Sequence, residues 1–188
     1  GPHAIVAILD TTDVQESSGI AASVINPDVY WTLNDSGSVG PRVWAVRLSA
    51  SDIASGAARS LGYVDLTGAS NADWEDLAAG PGGTLYVFDG GDNPPCDRTN
   101  KRIHRFAEPA VNPDGAPIAL GRPFDSIRFE YPDGQSPTLP ADENSERYDA
   151  ECLFVHPASS DLYIVTKRST ADAGVARVYR LPAAAITW

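Results

Sequence analysis

Asp73-Trp74-Glu75-Asp76-Leu77-Ala78-Ala79, the turn Gly80-Pro81-Gly82-Gly83, and Leu85-Tyr86-Val87-Phe88-Asp89-Gly90-Gly91-Asp92-Asn93 together make one unit. An acidic residue opens a short apolar run, a turn reverses the chain, and a Tyr-centred strand ends in a polar loop. The unit recurs before and after. Glu16-Ser17-Ser18-Gly19-Ile20-Ala21-Ala22 is followed by the turn Asn26-Pro27-Asp28 and Val29-Tyr30-Trp31-Thr32-Leu33-Asn34-Asp35. Asp149-Ala150-Glu151-Cys152-Leu153-Phe154-Val155 is followed by the turn His156-Pro157-Ala158-Ser159-Ser160 and Leu162-Tyr163-Ile164-Val165-Thr166-Lys167-Arg168. The Glu-to-Tyr separations, 14, 11 and 12 residues, differ only through the turn, which is the mark of an internal repeat.

Each Tyr strand is followed by a third strand with alternating charge: Arg42 to Leu48, Arg102 to Phe106 and Ala176 to Leu181. A fourth follows twice, at Ser60 to Leu66 and at Asp125 to Tyr131. Four antiparallel strands repeated as a block predict the blade of a β-propeller, whereas a plain β-sandwich has no reason to repeat a four-strand block with an acid at one place. The expected fold is therefore all-β, with about three blades in residues 4–188. Closed propellers typically have 4 to 8 blades, so the ring is expected to be incomplete and the chain to be the N-terminal part of a longer propeller. The apolar run Ala4-Ile5-Val6-Ala7-Ile8-Leu9 reads as the outer strand of a final blade, and Leu181 to Trp188 stops where the third blade's fourth strand would begin. The missing blades are expected from a second chain or a second copy, or to have been lost by truncation or cleavage.

Composition narrows the partners. The 188 residues are 43% hydrophobic and 21% charged, with 16 Gly and 15 Pro scattered along the chain, as in a folded domain with many turns and few long helices. A net charge of −11 repels phosphate backbones and anionic lipid, so neither nucleic acid nor a membrane is an expected partner, and a cation is. Gly1-Pro2-His3 reads as the remnant of a cleaved tag. Two cysteines, no methionine and the acidic balance fit a secreted, extracellular protein.

In a propeller the first strand of each blade lines the central channel, and its mouth shares a rim with the second-to-third-strand loops. Glu16, Glu75 and Glu151 thus fall at one mouth with Asn34-Asp35, Asp89, Asp92-Asn93 and Lys167-Arg168. Asp73 and Asp149 stand two residues before a Glu, hence on the same strand face; the first copy lacks this match, since Asp13 stands three before. Hard oxygen donors without His or Cys favour calcium, and Glu16, Glu75, Glu151, Asp92 and Asp35 are its expected ligands. Asn34, Asp73, Asp89, Asn93, Asp149, Lys167 and Arg168 are expected around it. Two other readings stay open: the glutamates lock blade to blade, with Lys167 or Arg168 completing an ion-pair ring, or a carboxylate pair is catalytic. Cys96 and Cys152 fall on the same rim of adjacent blades, where a disulfide or a free Cys152 are both possible. His104 reads as a surface or packing residue rather than a catalytic one, and His156 as turn chemistry. No nucleophile elbow, phosphate-binding loop or EF-hand spacing is present. Tyr131 to Tyr148 has no periodicity and reads as an exposed insertion.

Val29 to Gly37, Asp73-Trp74-Glu75-Asp76-Leu77-Ala78, Gly90-Gly91-Asp92-Asn93, and Tyr148-Asp149-Ala150-Glu151 with Leu162 to Lys167 resemble an uncharacterised family of exported bacterial β-propellers of the actinobacterial type. The resemblance covers nearly the whole chain and implies a propeller longer than it. The Pro94-Pro95-Cys96 segment and the loop before Tyr148 depart from the pattern. A more distant likeness to phytase-like and lactonase-like propellers, which use axial calcium, implies metal-assisted hydrolysis of a phosphoester, ester or lactone as the alternative to a binding or scaffold module for a small molecule or glycan.

Overall fold

The computed structural model describes residues 4–35, 40–93, 98–132, 148–167 and 175–188. In chain order the elements are β1 (Ile8–Leu9), β2 (Ser17–Ala22), β3 (Val29–Asn34), β4 (Arg42–Arg47), α1 (Ala50–Ser55), β5 (Ala57–Leu66), β6 (Trp74–Gly80), β7 (Thr84–Asp89), β8 (Arg102–Ala107), β9 (Ile118–Arg122), β10 (Asp125–Arg128), β11 (Ala150–Val155), β12 (Leu162–Thr166) and β13 (Val178–Leu181). The fold is all-β with curled sheets, one of them a half-barrel. Among the described residues no helix is long and apolar enough to cross a membrane.

The strands form three sheets. In the first, β2, β3, β4 and β5 are antiparallel neighbours, and β1 and β9 both lie parallel to β5. The second is the antiparallel set β6-β7-β8-β10, and the third is β11-β12-β13. The repeated block of the sequence is thus a repeated sheet, with two departures. The segment 4–9 does not stand apart as an outer strand: Ile8 and Leu9 add to the edge of β5, where the Ile8 amide donates to the Gly56 carbonyl at 2.9 Å. β9 and α1 had no period to announce them. α1 is only six residues long and rests on a capping box, the Ser49 hydroxyl accepting from the Asp52 amide and the Asp52 carboxylate from the Ser49 amide.

The second sheet lies between the other two and is apolar on both faces. Leu77, Leu85, Val87 and Phe106 meet Ala21, Trp31, Leu33, Val43, Ala45, Leu61, Val64 and Leu66 of the first sheet. Its alternate residues Ala78, Tyr86, Phe88 and Ile103 meet Leu153, Val155, Leu162 and Ile164 of the third. The front of each of the first two sheets therefore meets the back of the sheet that follows it in the chain, and the strand period of two sorts residues between fronts and backs.

This sorting corrects the repeat by one residue. At the start of each first strand, Ser17 pairs with Asn34, Trp74 with Asp89 and Ala150 with Thr166. Three residues before those partners stand Trp31, Tyr86 and Tyr163, so Trp31 is the counterpart of the two tyrosines and Tyr30 is not. A slip of one residue moves a side chain to the other face. Trp31, the larger apolar ring, takes the buried front position, and Tyr30 falls on the back of the first sheet.

Two polar groups hold the first interface. His104 packs edge-on to Phe124 at 5.1 Å and tilted to Trp74 at 6.0 Å, and neither ring nitrogen has a partner among the described residues. Burial, then the Arg102 charge, pull its pKa down to about 4, so of the two expected roles, surface or packing, it takes the packing one as a neutral group. Glu108 is buried just after β8 and accepts from the Val24 amide at 3.0 Å, the Asn26 amide nitrogen at 2.9 Å, the Trp31 indole at 2.8 Å and the Ser23 hydroxyl. Glu108→Ala strands these donors in an apolar interface. It should lower the free energy of unfolding by about 3 kcal/mol, read from urea denaturation, and a loss under about 1 kcal/mol would show the donors find other acceptors.

Candidate functional site

Each first strand begins with a β-bulge. In β6 the pairing passes from Trp74–Asp89 to Asp76–Phe88, leaving Glu75 as the extra residue; in β11 it passes from Ala150–Thr166 to Cys152–Val165, leaving Glu151. A bulge re-aims the side chain of its unpaired residue, and both glutamates leave the alternation at the same point of their sheets. In β2 the irregularity lies between Ser17 and Ile20, so serine stands where the glutamates do.

The backbone confirms this shift. The loop amides of Asp35, Gly91 and Lys167 donate to the carbonyls of Glu16, Asp73 and Asp149 at 3.0, 3.2 and 2.7 Å. Glu16 is therefore the counterpart of Asp73 and Asp149, not of Glu75 and Glu151 as the sequence repeat suggested. Its side chain is exposed.

Two groups of carboxylates result. Oxygens of Asp35, Asp73 and Glu75 lie within 4.8 Å of one another, and so do oxygens of Glu75, Asp149 and Glu151; both groups can hold a metal ion. Glu75 belongs to both and is 3% exposed. Gly91 makes room for this crowding: a Cβ there would stand 2.2 Å from Glu75 Oε1 and 2.4 Å from Asp73 Oδ2. Gly19 serves the same junction from the first sheet, because a Cβ on it would fall 2.5 Å from the Leu77 amide and hold β2 off β6.

The electrostatics follow from burial and like charge. Burial first, then the charges of Glu151 and Asp73, push the Glu75 pKa up to about 9, and Glu75 and Glu151 share a hydrogen bond, which requires a proton between them. Asp73 is raised by burial and by Asp35, and Asp35 by burial, Glu16 and Glu151. Lys167 Nζ meets Asp149 at 2.8 Å and also Glu151. Burial alone would lower its pKa, but these two hydrogen bonds outweigh burial and hold the ammonium above its ordinary value. The second group thus carries its own cation.

The remaining expected residues surround this centre in structural roles. Asn34 Oδ1 accepts from the Gln15 and Glu16 amides at 3.0 and 3.1 Å, shaping the approach to β2. Asp89 accepts from the Asp73 amide at 3.1 Å and pairs with Arg98 at 2.8 Å. Asp92 belongs to neither group and pairs with Lys101, both side chains buried, while its amide donates to Asp149 at 2.9 Å. Asn93 donates to Asp73 at 3.4 Å. Cys152 is a free, exposed thiol; Cys96 and Arg168 lie outside the described residues, as does 133–147 of the expected insertion. His156 accepts from the Ala158 and Ser159 amides in its turn, as expected.

Three contributors were not foreseen. Arg98 and Lys101 lie beyond the loop that departs from the repeat, so no period pointed to them. Asp76 looked like part of an apolar run, yet its carboxylate accepts from the Leu153 amide at 2.7 Å and ties β6 to β11. Searches against protein-family models and against curated proteins find no match for this chain.

Proposed function

We propose that the chain is a set of β-propeller blades, akin to exported bacterial propellers, acting outside the cell as a binding or scaffold module with calcium at the channel mouth. The observation that carries this reading is Glu75, a buried carboxylate shared by two groups of acids. A cation is the natural counterion for charges that otherwise keep a proton. The preferred position is the Asp35-Asp73-Glu75 group, because Lys167 already neutralises Asp149 and Glu151. The donors are hard oxygens, with Asn93 beside them, and no His or Cys belongs to either group, a set that suits calcium over zinc or copper. Glu16, exposed and close enough to raise the Asp35 pKa, adds to the attracting field.

A calcium-dependent hydrolase would use the same ligands but needs an open coordination position beside the ion. The near-complete burial of Glu75 favours an enclosed ion, and so a binding role.

Calorimetric titration of the chelated protein with calcium tests the site. Binding of one ion per chain is expected, weakened on the order of 100-fold in Asp73→Asn, since losing one of the charged ligands costs a few kcal/mol at about 1.4 kcal/mol per tenfold. No heat at millimolar calcium, or equal affinity in Asp73→Asn, overturns the reading.

A further inference from the structure

The sheet faces at the two ends of the stack match each other. On the backs of the sheets, Leu77-Val87-His104 and Ala79-Leu85-Phe106 of the second and Leu153-Ile164-Tyr179 and Val155-Leu162-Leu181 of the third are cross-strand rows buried against the preceding sheet. Register places Ile20-Thr32-Trp44 and Ala22-Tyr30-Val46 at the same levels on the back of the first sheet. There Thr32 and Trp44 are already buried within the chain, at 4% and 2% exposed, while Ile20, 69% exposed, and Ala22 form the open part of the face.

On the fronts, Ala21-Trp31-Ala45 of the first sheet and Ala78-Tyr86 of the second are covered by the sheet that follows, while Arg105, which completes the second row, is half-buried and lies over the Trp188 ring. Their counterparts on the third sheet are Phe154-Tyr163-Arg180 and, one level nearer the mouth, Cys152-Val165-Val178. Phe154 stacks flat on Tyr163 at 4.7 Å, yet remains 44% exposed, and Val178 is 62% exposed. A rigid aromatic pair beside valines is the composition of an interface core rather than of a solvated sheet face.

We propose that the front of the third sheet docks on the back of the first sheet of a second copy, repeating between chains the packing that joins the sheets within one. The occupant follows from continuity: the fronts of the first and second sheets each bury against a back face, and the chain carries one more back face, that of its first sheet. Such a contact is heterologous, joining unlike surfaces, and two copies joined at both ends would close a ring of six sheets, within the usual range for radial sheet arrays.

Light scattering on a sizing column, run in chelator so that the result does not depend on the cation, tests this against the mass of the 19.9 kDa chain. Wild type should run as a pair. Phe154→Lys removes the front and Ile20→Lys the back, and each alone should run as a single chain with unchanged circular dichroism. Mixed in equal amounts they should pair again through the one intact front and back. Val178→Lys and Ala22→Lys serve as the second set if either variant misfolds. A single-chain wild type, a variant that still pairs, or a mixture that does not pair overturns the proposal. Calcium binding by the unassembled variants would show that the cation reading stands without it.

Discussion

Lys101→Met should cost about 3–5 kcal/mol, measured as the shift in urea-unfolding midpoint with the slope unchanged. Lys101 is 0% exposed; its ammonium meets the buried Asp92 carboxylate, donates to the Arg98 carbonyl at 3.3 Å and lies 5.9 Å from the Tyr131 ring centre. Burial lowers its pKa, so the site gives the charge little help from water. Methionine matches the stem but leaves the Asp92 carboxylate without its ammonium. Breaking one side of a buried pair is far more damaging than removing both, because the remaining charge stays desolvated. The double variant Lys101→Met with Asp92→Asn should therefore recover part of the loss. Since domains of this size are held by roughly 5–15 kcal/mol, the single change approaches global unfolding. A loss below about 1 kcal/mol would mean that water reaches Asp92 and the pair is not a buried one.

The second large effect concerns pH. Glu75 has an ordinary pKa of 4.5 and one near 9 in the fold, so the folded chain keeps a proton that the unfolded chain has released. Stability from this group is complete below pH 4.5 and is lost as pH rises through 9, by at most about 1.4 kcal/mol per pH unit. In chelator, the melting temperature of the wild type should fall steadily from pH 5 to pH 9. Glu75→Gln, which keeps the shape and has no proton to lose, should be nearly flat across that range and more stable than wild type at its upper end. Calcium should restore the wild type at high pH and do little for Glu75→Gln. Parallel profiles for the two proteins would show that Glu75 is ionised throughout and that its environment is wetter than its 3% exposure implies.

Both effects arise at the junctions between sheets. The backbone there is tied across: the Trp74 amide donates to the Asp35 carbonyl at 2.8 Å, and the Asp92 amide to Asp149 at 2.9 Å. A change in one sheet's loop therefore reaches the first strand of the next. Lys101 holds Asp92, Asp92 holds Asp149, and Asp149 shares Lys167 with Glu151, so the ion pairs that stabilise the stack also place the acids of the candidate site.

The sequence by itself determined the strands, their grouping into repeated antiparallel blocks and the gathering of acids at one end of them. These are local matters: a two-residue alternation needs only a few neighbours to be read, turns are marked by Asn-Pro-Asp or Gly-Pro-Gly-Gly, and a repeated block repeats its geometry. It also placed Asp73 and Asp149 beside the glutamates, although the bulge takes each glutamate out of the strand alternation on which that expectation rested. Tertiary structure decided the rest. Which of Tyr30 and Trp31 matches the later tyrosines depends on which face the neighbouring sheet covers. The bulges that single out Glu75 and Glu151 and leave serine in β2 are visible only in cross-strand pairing. Asp92 and Asp35 look alike in the sequence, but Asp92 turns to Lys101, nine residues away across a loop with no repeat, while Asp35 turns to Asp73 and Glu75 on the next sheet. The acidic composition is written in single residues; the burial that raises the Glu75 pKa comes from packing among all three sheets, and burial is a property no residue carries alone.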